Sequence, residues 1–132
     1  MLLLDIDEFK NVNDRYGHIA GDNTLIGLVE ILNDITRSGD LVSRFGGEEF
    51  VLLLAETAQD EAFARLDEAR SAFEQFRIDG MTSGSTISVG IAEYPTHSRD
   101  YEELIGMADK AMYAAKQAGG NRIAFFDPHS LT

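Results

Sequence analysis

The order of the residues predicts an α+β sandwich, a single sheet with helices packed around it. Three observations carry this expectation. Short apolar runs rich in β-formers alternate with longer segments whose apolar residues recur at helical spacing. Glycine or proline stands at the joints, at Gly17, Gly39, Gly46-Gly47, Pro95 and Gly119-Gly120. A length of 132 residues with 44% hydrophobic composition fits one domain around one ordinary core, spanning residues 1–132.

Leu2 to Ile6 is an apolar run that meets acid at Asp5 and Asp7, the pattern of a buried strand with carboxylates at its end. The chain starts inside this strand with no helix before it, as expected of a piece of a longer protein. Phe9, Val12 and Tyr16 have helical spacing and Gly17 follows, so Glu8 to Tyr16 is a short helix whose first amides face outward toward an anion. From Asp22, an apt N-cap, Leu25, Leu28, Val29, Leu32 and Ile35 mark a second helix that Gly39 closes. Leu41-Val42 and Phe50 to Leu54 flank Gly46-Gly47, which reads as a hairpin with a two-residue turn. Its glycines permit positive φ, and Glu48 and Glu49 repel at its tip unless a divalent cation is bound. Ala58 to Phe76 carries Ala62, Leu66, Ala69, Phe73 and Phe76 on one helical face. Ile78 to Ser85 is a loop, and Ile87, Val89 and Ile91 alternate as a strand before Pro95. Tyr101, Leu104, Ile105, Ala108, Met112 and Ala115 mark a long helix stopped by Gly119-Gly120, and Ile123 to Phe126 is a last strand. Phe73, Tyr101, Met107 and Met112 are assigned to the core. The first six units contain the βαββαβ arrangement of ferredoxin-like domains, with a mostly antiparallel sheet. The first strand then lies beside the hairpin, and Asp5 comes close to Glu48.

Charge and composition exclude several classes. Eleven basic residues against 23 acidic ones give a formal charge of -12, which argues against binding nucleic acid polymers or anionic lipid. There is no cysteine, hence no disulfide, thiolate nucleophile or cysteine-ligated zinc. His18, His97 and His129 show no metal-ligand spacing. Met1 to Leu4 is too short for a signal sequence and no run approaches a membrane span, so a soluble intracellular domain is expected.

Asp5, Asp7, Glu48 and Glu49 are acids at strand ends, costly there unless paired or metal-bound. Oxygen-only ligands suit Mg²⁺ or Mn²⁺, although such acids also read as solvated turn residues. Lys10, with the amides around Glu8 and Phe9, suits phosphate oxygens or is simply a solvated charge; no P-loop is present. Asn13 and Asp22 form an amide and carboxylate pair able to read guanine, or else serve as cap and turn. Arg37 suits the O6 and N7 edge of guanine, and with Asp40 it also reads as a helix-end charge and turn residue.

Together these residues resemble one family. Asp5-Ile6-Asp7-Glu8-Phe9-Lys10-Asn11-Val12-Asn13-Asp14, Tyr16-Gly17-His18, Gly21-Asp22 and Arg44-Phe45-Gly46-Gly47-Glu48-Glu49-Phe50 are similar to the signature of the GGDEF domain, in a GGEEF variant, of bacterial diguanylate cyclases. Ala108-Asp109-Lys110-Ala111-Met112-Tyr113, Ala115-Lys116 and Gly119-Gly120-Asn121-Arg122 resemble its closing motif. The resemblance implies a fold like nucleotide cyclase and polymerase palm domains, here without the usual first helix. It also implies condensation of two GTP into cyclic di-GMP with loss of two pyrophosphates, each chain of a homodimer holding one GTP. It implies two Mg²⁺ or Mn²⁺ ions per site on Asp5, Glu48 and the Ile6 carbonyl, with Glu49 a further catalytic acid. Guanine would meet Asn13 and Asp22, and phosphates would meet Glu8, Phe9, Lys10, Lys116 and Arg122. Arg37 and Asp40 match an Arg-x-x-Asp site where cyclic di-GMP inhibits. An upstream sensory or regulatory domain is implied, with the chain cytoplasmic and not itself inserted in a membrane. Gly120 departs from the family, which carries arginine there, so one phosphate contact is missing unless Arg122 or Lys116 compensates. That departure keeps open an impaired module that binds cyclic di-GMP or GTP as a receptor or dimerisation element.

Overall fold

The structure, a computed structural model, describes residues 1–78, 80–81 and 84–129. In chain order its elements are β1 (Leu2–Ile6), α1 (Phe9–Tyr16), α2 (His18–Ile35), β2 (Leu41–Arg44), β3 (Glu49–Leu53), α3 (Gln59–Gln75), β4 (Ile87–Ile91), α4 (Tyr101–Gln117) and β5 (Arg122–Phe125). The strands form one sheet in the order β2-β3-β1-β4-β5. Its first four strands are antiparallel in the ferredoxin-like arrangement, and β5 joins parallel to β4 after the α4 crossover.

Strand periodicity sorts β1 onto two faces. Leu2, Leu4 and Ile6 join Phe50, Leu52, Ile87, Val89 and Ile91 in a core shared with Leu28 and Leu32 of α2 and Leu66 and Phe73 of α3. Leu3 points the other way, into a smaller core with Ala92, Leu104, Ala108 and Met112, most of it under α4. Burying each of the larger side chains contributes about 1.5–3 kcal/mol, so apolar burial on both faces does most to bind the helices to the sheet. The same alternation puts Asp5 on the α4 face, one step past the end of the apolar stripe.

The element order agrees with the sequence expectation, and several boundaries move. The second helix begins at His18, because Gly17 takes φ 92 and lets the chain turn directly from α1 into α2. Asp22 therefore lies one turn inside α2 and is not its N-cap. The hairpin connection is the four residues 45–48, closed by the amides of Phe45 and Gly46 donating to the Glu49 carbonyl at 2.7 and 3.3 Å. Neither Gly46 nor Gly47 adopts positive φ, since a four-residue loop does not demand it. Tyr101 is exposed and stacks on Tyr94 with ring centroids 6.0 Å apart, whereas Phe73 and Met112 are buried and Met107 is partly so. The expected loop from Ile78 to Ser85 is described only in part, residues 79, 82 and 83 lying outside the described residues.

Candidate functional site

The acids gather at one end of the sheet because β1 ends where β3 and β4 begin. Asp5 pairs across with Glu49 on β3 and with Ser88 on β4. Cross-strand partners share a face, so the Asp5 and Glu49 carboxylates lie on the α4 side together. The Ile6 amide donates to the Glu48 carbonyl at 3.3 Å, which fastens the hairpin loop to the end of β1. Arg44 closes that loop from the other side, its Nε donating to the carbonyls of Gly46 and Gly47 at 3.2 and 3.1 Å. Glu48 is held between these two fastenings.

The electrostatics are those of crowded, half-buried carboxylates. Burial pushes the Asp5 carboxyl above its ordinary range, Lys116 opposes the shift, and Asp7 adds to it. Glu48 is raised by burial and then by repulsion from Asp5, and Glu49 by burial, Asp5 and Asp109. Lys116, from the last turn of α4, reaches in to 3.3 Å from Asp5 Oδ2 and 3.5 Å from Asp7 Oδ1. Asp5 Oδ1 is buried and has no hydrogen-bond partner among the described residues. A buried carboxylate oxygen without a donor is costly, and a hard cation is the group that suits it.

Asp7 differs from its neighbours. Its oxygens accept from Thr86 Oγ1 at 2.7 Å, Ser88 Oγ at 2.6 Å and the Asn121 amide at 2.8 Å. These bonds tie the end of β1 to β4 and to the turn after α4. That turn holds Gly120 at φ 74, and a Cβ there would stand 2.8 Å from Asp7 Oδ2. Glycine suits Gly120 by its positive φ, and a Cβ there would press on the Asp7 carboxylate. Arg122 curls back over the turn, its Nε donating to the Gly120 carbonyl at 3.0 Å.

The expected guanine pair is also brought together. Asn13 on α1 lies against Gly21 of α2, where a Cβ would overlap its side-chain oxygen, and Asp22 is the next residue. A groove of about 470 Å³ opens beside Asp22, lined by Leu25, Ile26, Val29, Arg44 and Phe50, so it runs from α2 to the base of the hairpin. A larger cavity of about 550 Å³ lies at the opposite end of the sheet, against Met1, Leu54, Tyr94 and Tyr101, and holds none of these acids. Glu8 caps α1 in the left-handed region at φ 50, turning the chain so that the α1 amides follow β1 directly, with Phe9 buried and Lys10 exposed.

Arg37 and Asp40 meet differently from the expectation. The Arg37 amide donates to Asp40 Oδ2 at 2.8 Å, while the Arg37 guanidinium is exposed and paired with Glu61 at 2.7 Å. Asp40 is turned inward, accepting also from the Ala55 amide at 2.8 Å and from Arg65 at 2.6 Å. Burial alone would raise its carboxyl, but these donors outweigh burial and hold it below the ordinary range. Sequence reading missed Arg65, Thr86, Ser88 and the anchoring part of Asn121. Arg65 had a signal, being a charge three residues after Ala62 and four before Ala69 on a buried face.

Among the described residues no three carboxylate or imidazole side chains form a ready-made metal cage. Two carboxylates with a backbone carbonyl remain a fitting set for Mg²⁺, which commonly takes one or two carboxylates together with substrate phosphates.

A domain with this sheet and this acidic corner has clear relatives. The family described as diguanylate cyclase, GGDEF domain, matches residues 1–122, and the chain belongs to it. It is 40% identical over 125 residues to diguanylate cyclase A of Treponema denticola, an alignment covering 93% of this chain and 34% of that protein. The chain thus spans about a third of the length of that curated relative. The crystal structure of the GGDEF domain of YfiN (TpbB) from Pseudomonas aeruginosa superposes with a TM-score of 0.89 at 36% identity, covering 96% of this chain and 80% of that one. The active GGEEF domain of a diguanylate cyclase from Vibrio cholerae gives 0.84 at 27% identity, covering 96% and 81%. No helix among the described residues is long and apolar enough to cross a membrane.

Proposed function

We propose that the chain is the catalytic domain of a diguanylate cyclase, a single domain that condenses two GTP into cyclic di-GMP and two pyrophosphates. The observation that carries this reading is the juxtaposition of Asp5, Glu48 and Glu49 at one sheet end, with a buried Asp5 oxygen that has no donor among the described residues. Asp5, Glu48 and the Ile6 carbonyl would hold Mg²⁺ or Mn²⁺, two ions per site with the nucleotide. Such ions, when bound, lower the pKa of an attacking 3′-hydroxyl and neutralise charge on the leaving pyrophosphate. Glu49, across from Asp5 on the neighbouring strand, would take the hydroxyl proton.

Asp22 lines the groove in which guanine would lie, and Asn13 lies against the neighbouring Gly21; the amide would donate to the guanine carbonyl and the carboxylate accept from its ring and amino N–H groups. The amides at Glu8 and Phe9, with Lys10, Lys116 and Arg122, would receive the phosphates. Arg122 or Lys116 would supply the cation that Gly120 cannot; that Arg122 folds back over this turn supports it for the role. One chain positions one GTP, so attack on the α-phosphate requires a second copy facing the first, and the homodimer is the working unit. Cyclic di-GMP would inhibit at the Arg37 loop with Arg37 as the reaching residue, since its surface pair with Glu61 is weak while Asp40 is committed inward. Arg37→Ala should then weaken cyclic di-GMP binding in calorimetry, and unchanged affinity would remove the assignment. Relatives in which this domain is about a third of the chain support further chain beyond it; a sensory or regulatory domain upstream, with this part in the cytoplasm, belongs to the proposal.

A second reading follows from Gly120: without the family arginine, the chain could bind cyclic di-GMP or GTP as a receptor or dimerisation element without turnover. Incubation with GTP and Mg²⁺, as isolated and as a forced dimer, with products read by mass spectrometry, separates the two. Cyclic di-GMP is expected from the dimer, and its absence under both conditions rejects the enzymatic reading.

A further inference from the structure

We propose that Lys116 is the resident counter-cation of the acidic corner, holding Asp5 until a divalent ion arrives and then retreating onto Asp7. The proposal rests on reading Asp5 and Glu48 as metal ligands, and it adds what this chain does with those charges before metal binds.

The geometry is that of a shared cation. The Lys116 ammonium is 3.3 Å from Asp5 and 3.5 Å from Asp7, with 29% of its side chain exposed against 13% and 14% for the two acids. It approaches Asp5 through Oδ2 and leaves Oδ1 buried and unpartnered among the described residues, so the carboxylate is half neutralised and half open. A dication on Asp5 and an ammonium a few ångströms away repel by several times thermal energy even at the effective dielectric of a protein. One of the two must therefore move, and the lysine is the flexible one. Asp7 gives it a destination. That carboxylate is fixed by Thr86, Ser88 and the Asn121 amide, stays in place when Asp5 is taken, and keeps the ammonium beside the corner. Asp7 is thus a positioning residue acting through Lys116. Without this arrangement the ligand-free corner would set Asp5, Asp7, Glu48 and Glu49 together uncompensated.

The test is a titration with Mn²⁺ in the absence of nucleotide, free Mn²⁺ being read by electron paramagnetic resonance. Lys116→Met should bind Mn²⁺ about tenfold more tightly than the unaltered chain, because the competing cation is gone. Lys110→Met removes the same charge from α4 at a place that lines a cavity with Phe125 and Phe126, and should change affinity less than about twofold. Equal affinity of Lys116→Met and the unaltered chain, with Mn²⁺ bound and lost on Asp5→Asn, overturns the counter-cation role while leaving the metal site standing. Absence of Mn²⁺ binding from both proteins without nucleotide overturns the inference, and its absence also with a non-hydrolysable GTP analogue present overturns the metal site. Asp7→Asn should weaken binding in the unaltered background more than in Lys116→Met, and equal effects in the two backgrounds would overturn its part as anchor. The Lys116→Met comparison stands whether or not Asp7→Asn folds.

Discussion

Arg65 and Asp40 form a nearly solvent-free ion pair at 2.6 Å, with 9% and 2% of their side chains exposed. Arg65 donates as well to the Ile35 carbonyl through Nε at 2.8 Å, so one buried guanidinium ties α3 to the end of α2 and to the loop that enters the hairpin. Removing one partner leaves the other charge buried alone. Arg65→Met is expected to cost about 3–5 kcal/mol in urea unfolding, whereas breaking the exposed Arg37–Glu61 pair should cost under about 1 kcal/mol.

The same pair sets a pH dependence. The Asp40 carboxyl is depressed in the folded chain, so its stabilisation is present above the unfolded value, ordinarily about 3.9, and is lost as pH falls through the depressed folded value. Acid unfolding should therefore show a component below the ordinary carboxylate range that disappears in Arg65→Met. Urea midpoints measured from pH 6 downward check this, and parallel curves for the two proteins would refute it.

Asp5, Glu48 and Glu49 have the opposite sign. Their carboxyls are raised, so the folded chain is favoured while they are protonated and loses that advantage as pH rises from the ordinary carboxylate range through the raised values. At neutral pH the ligand-free corner is consequently a strained one. Asp5→Asn is expected to raise Tm without metal by about 3–6 °C, the equivalent of about 1 kcal/mol, and to erase the further rise that Mg²⁺ gives the unaltered chain. Differential scanning calorimetry with and without Mg²⁺ reads both effects.

Gly120→Arg supplies the arginine that the family resemblance implies at this position, yet it should not create a phosphate contact. The φ of 74 and the Asp7 carboxylate within 3.2 Å of any Cβ make the substitution cost about 1–3 kcal/mol. Affinity for a non-hydrolysable GTP analogue should stay the same or fall; a several-fold gain would show that the turn yields easily.

The fold and half of the site were legible because their signals are local. Alternation in β1, helical spacing in α2 and α4, and acids next to apolar runs all lie within a few residues of one another, and the element order follows from them. What escaped were contacts closed only by the tertiary fold. Asp40 meets Arg65 across 25 positions, and Asp7 meets Thr86, Ser88 and Asn121 across 79, 81 and 114. Asp5 near the end of β1 and Asp7 just past it are two residues apart and indistinguishable by type, yet one is saturated by donors and the other keeps an oxygen with no partner among the described residues. Asp22 escaped for a smaller reason: an N-cap assignment competes with a glycine five residues earlier that starts the helix sooner.

The most direct measurement is the product stoichiometry of a forced dimer supplied with GTP and Mg²⁺, compared with the same dimer carrying Glu48→Gln. One cyclic di-GMP with two pyrophosphates for each two GTP consumed is expected from the first and none above background from the second, both remaining folded by circular dichroism. Equal product from the two proteins, or GTP consumed without cyclic di-GMP, would contradict a cyclase built on Asp5 and Glu48.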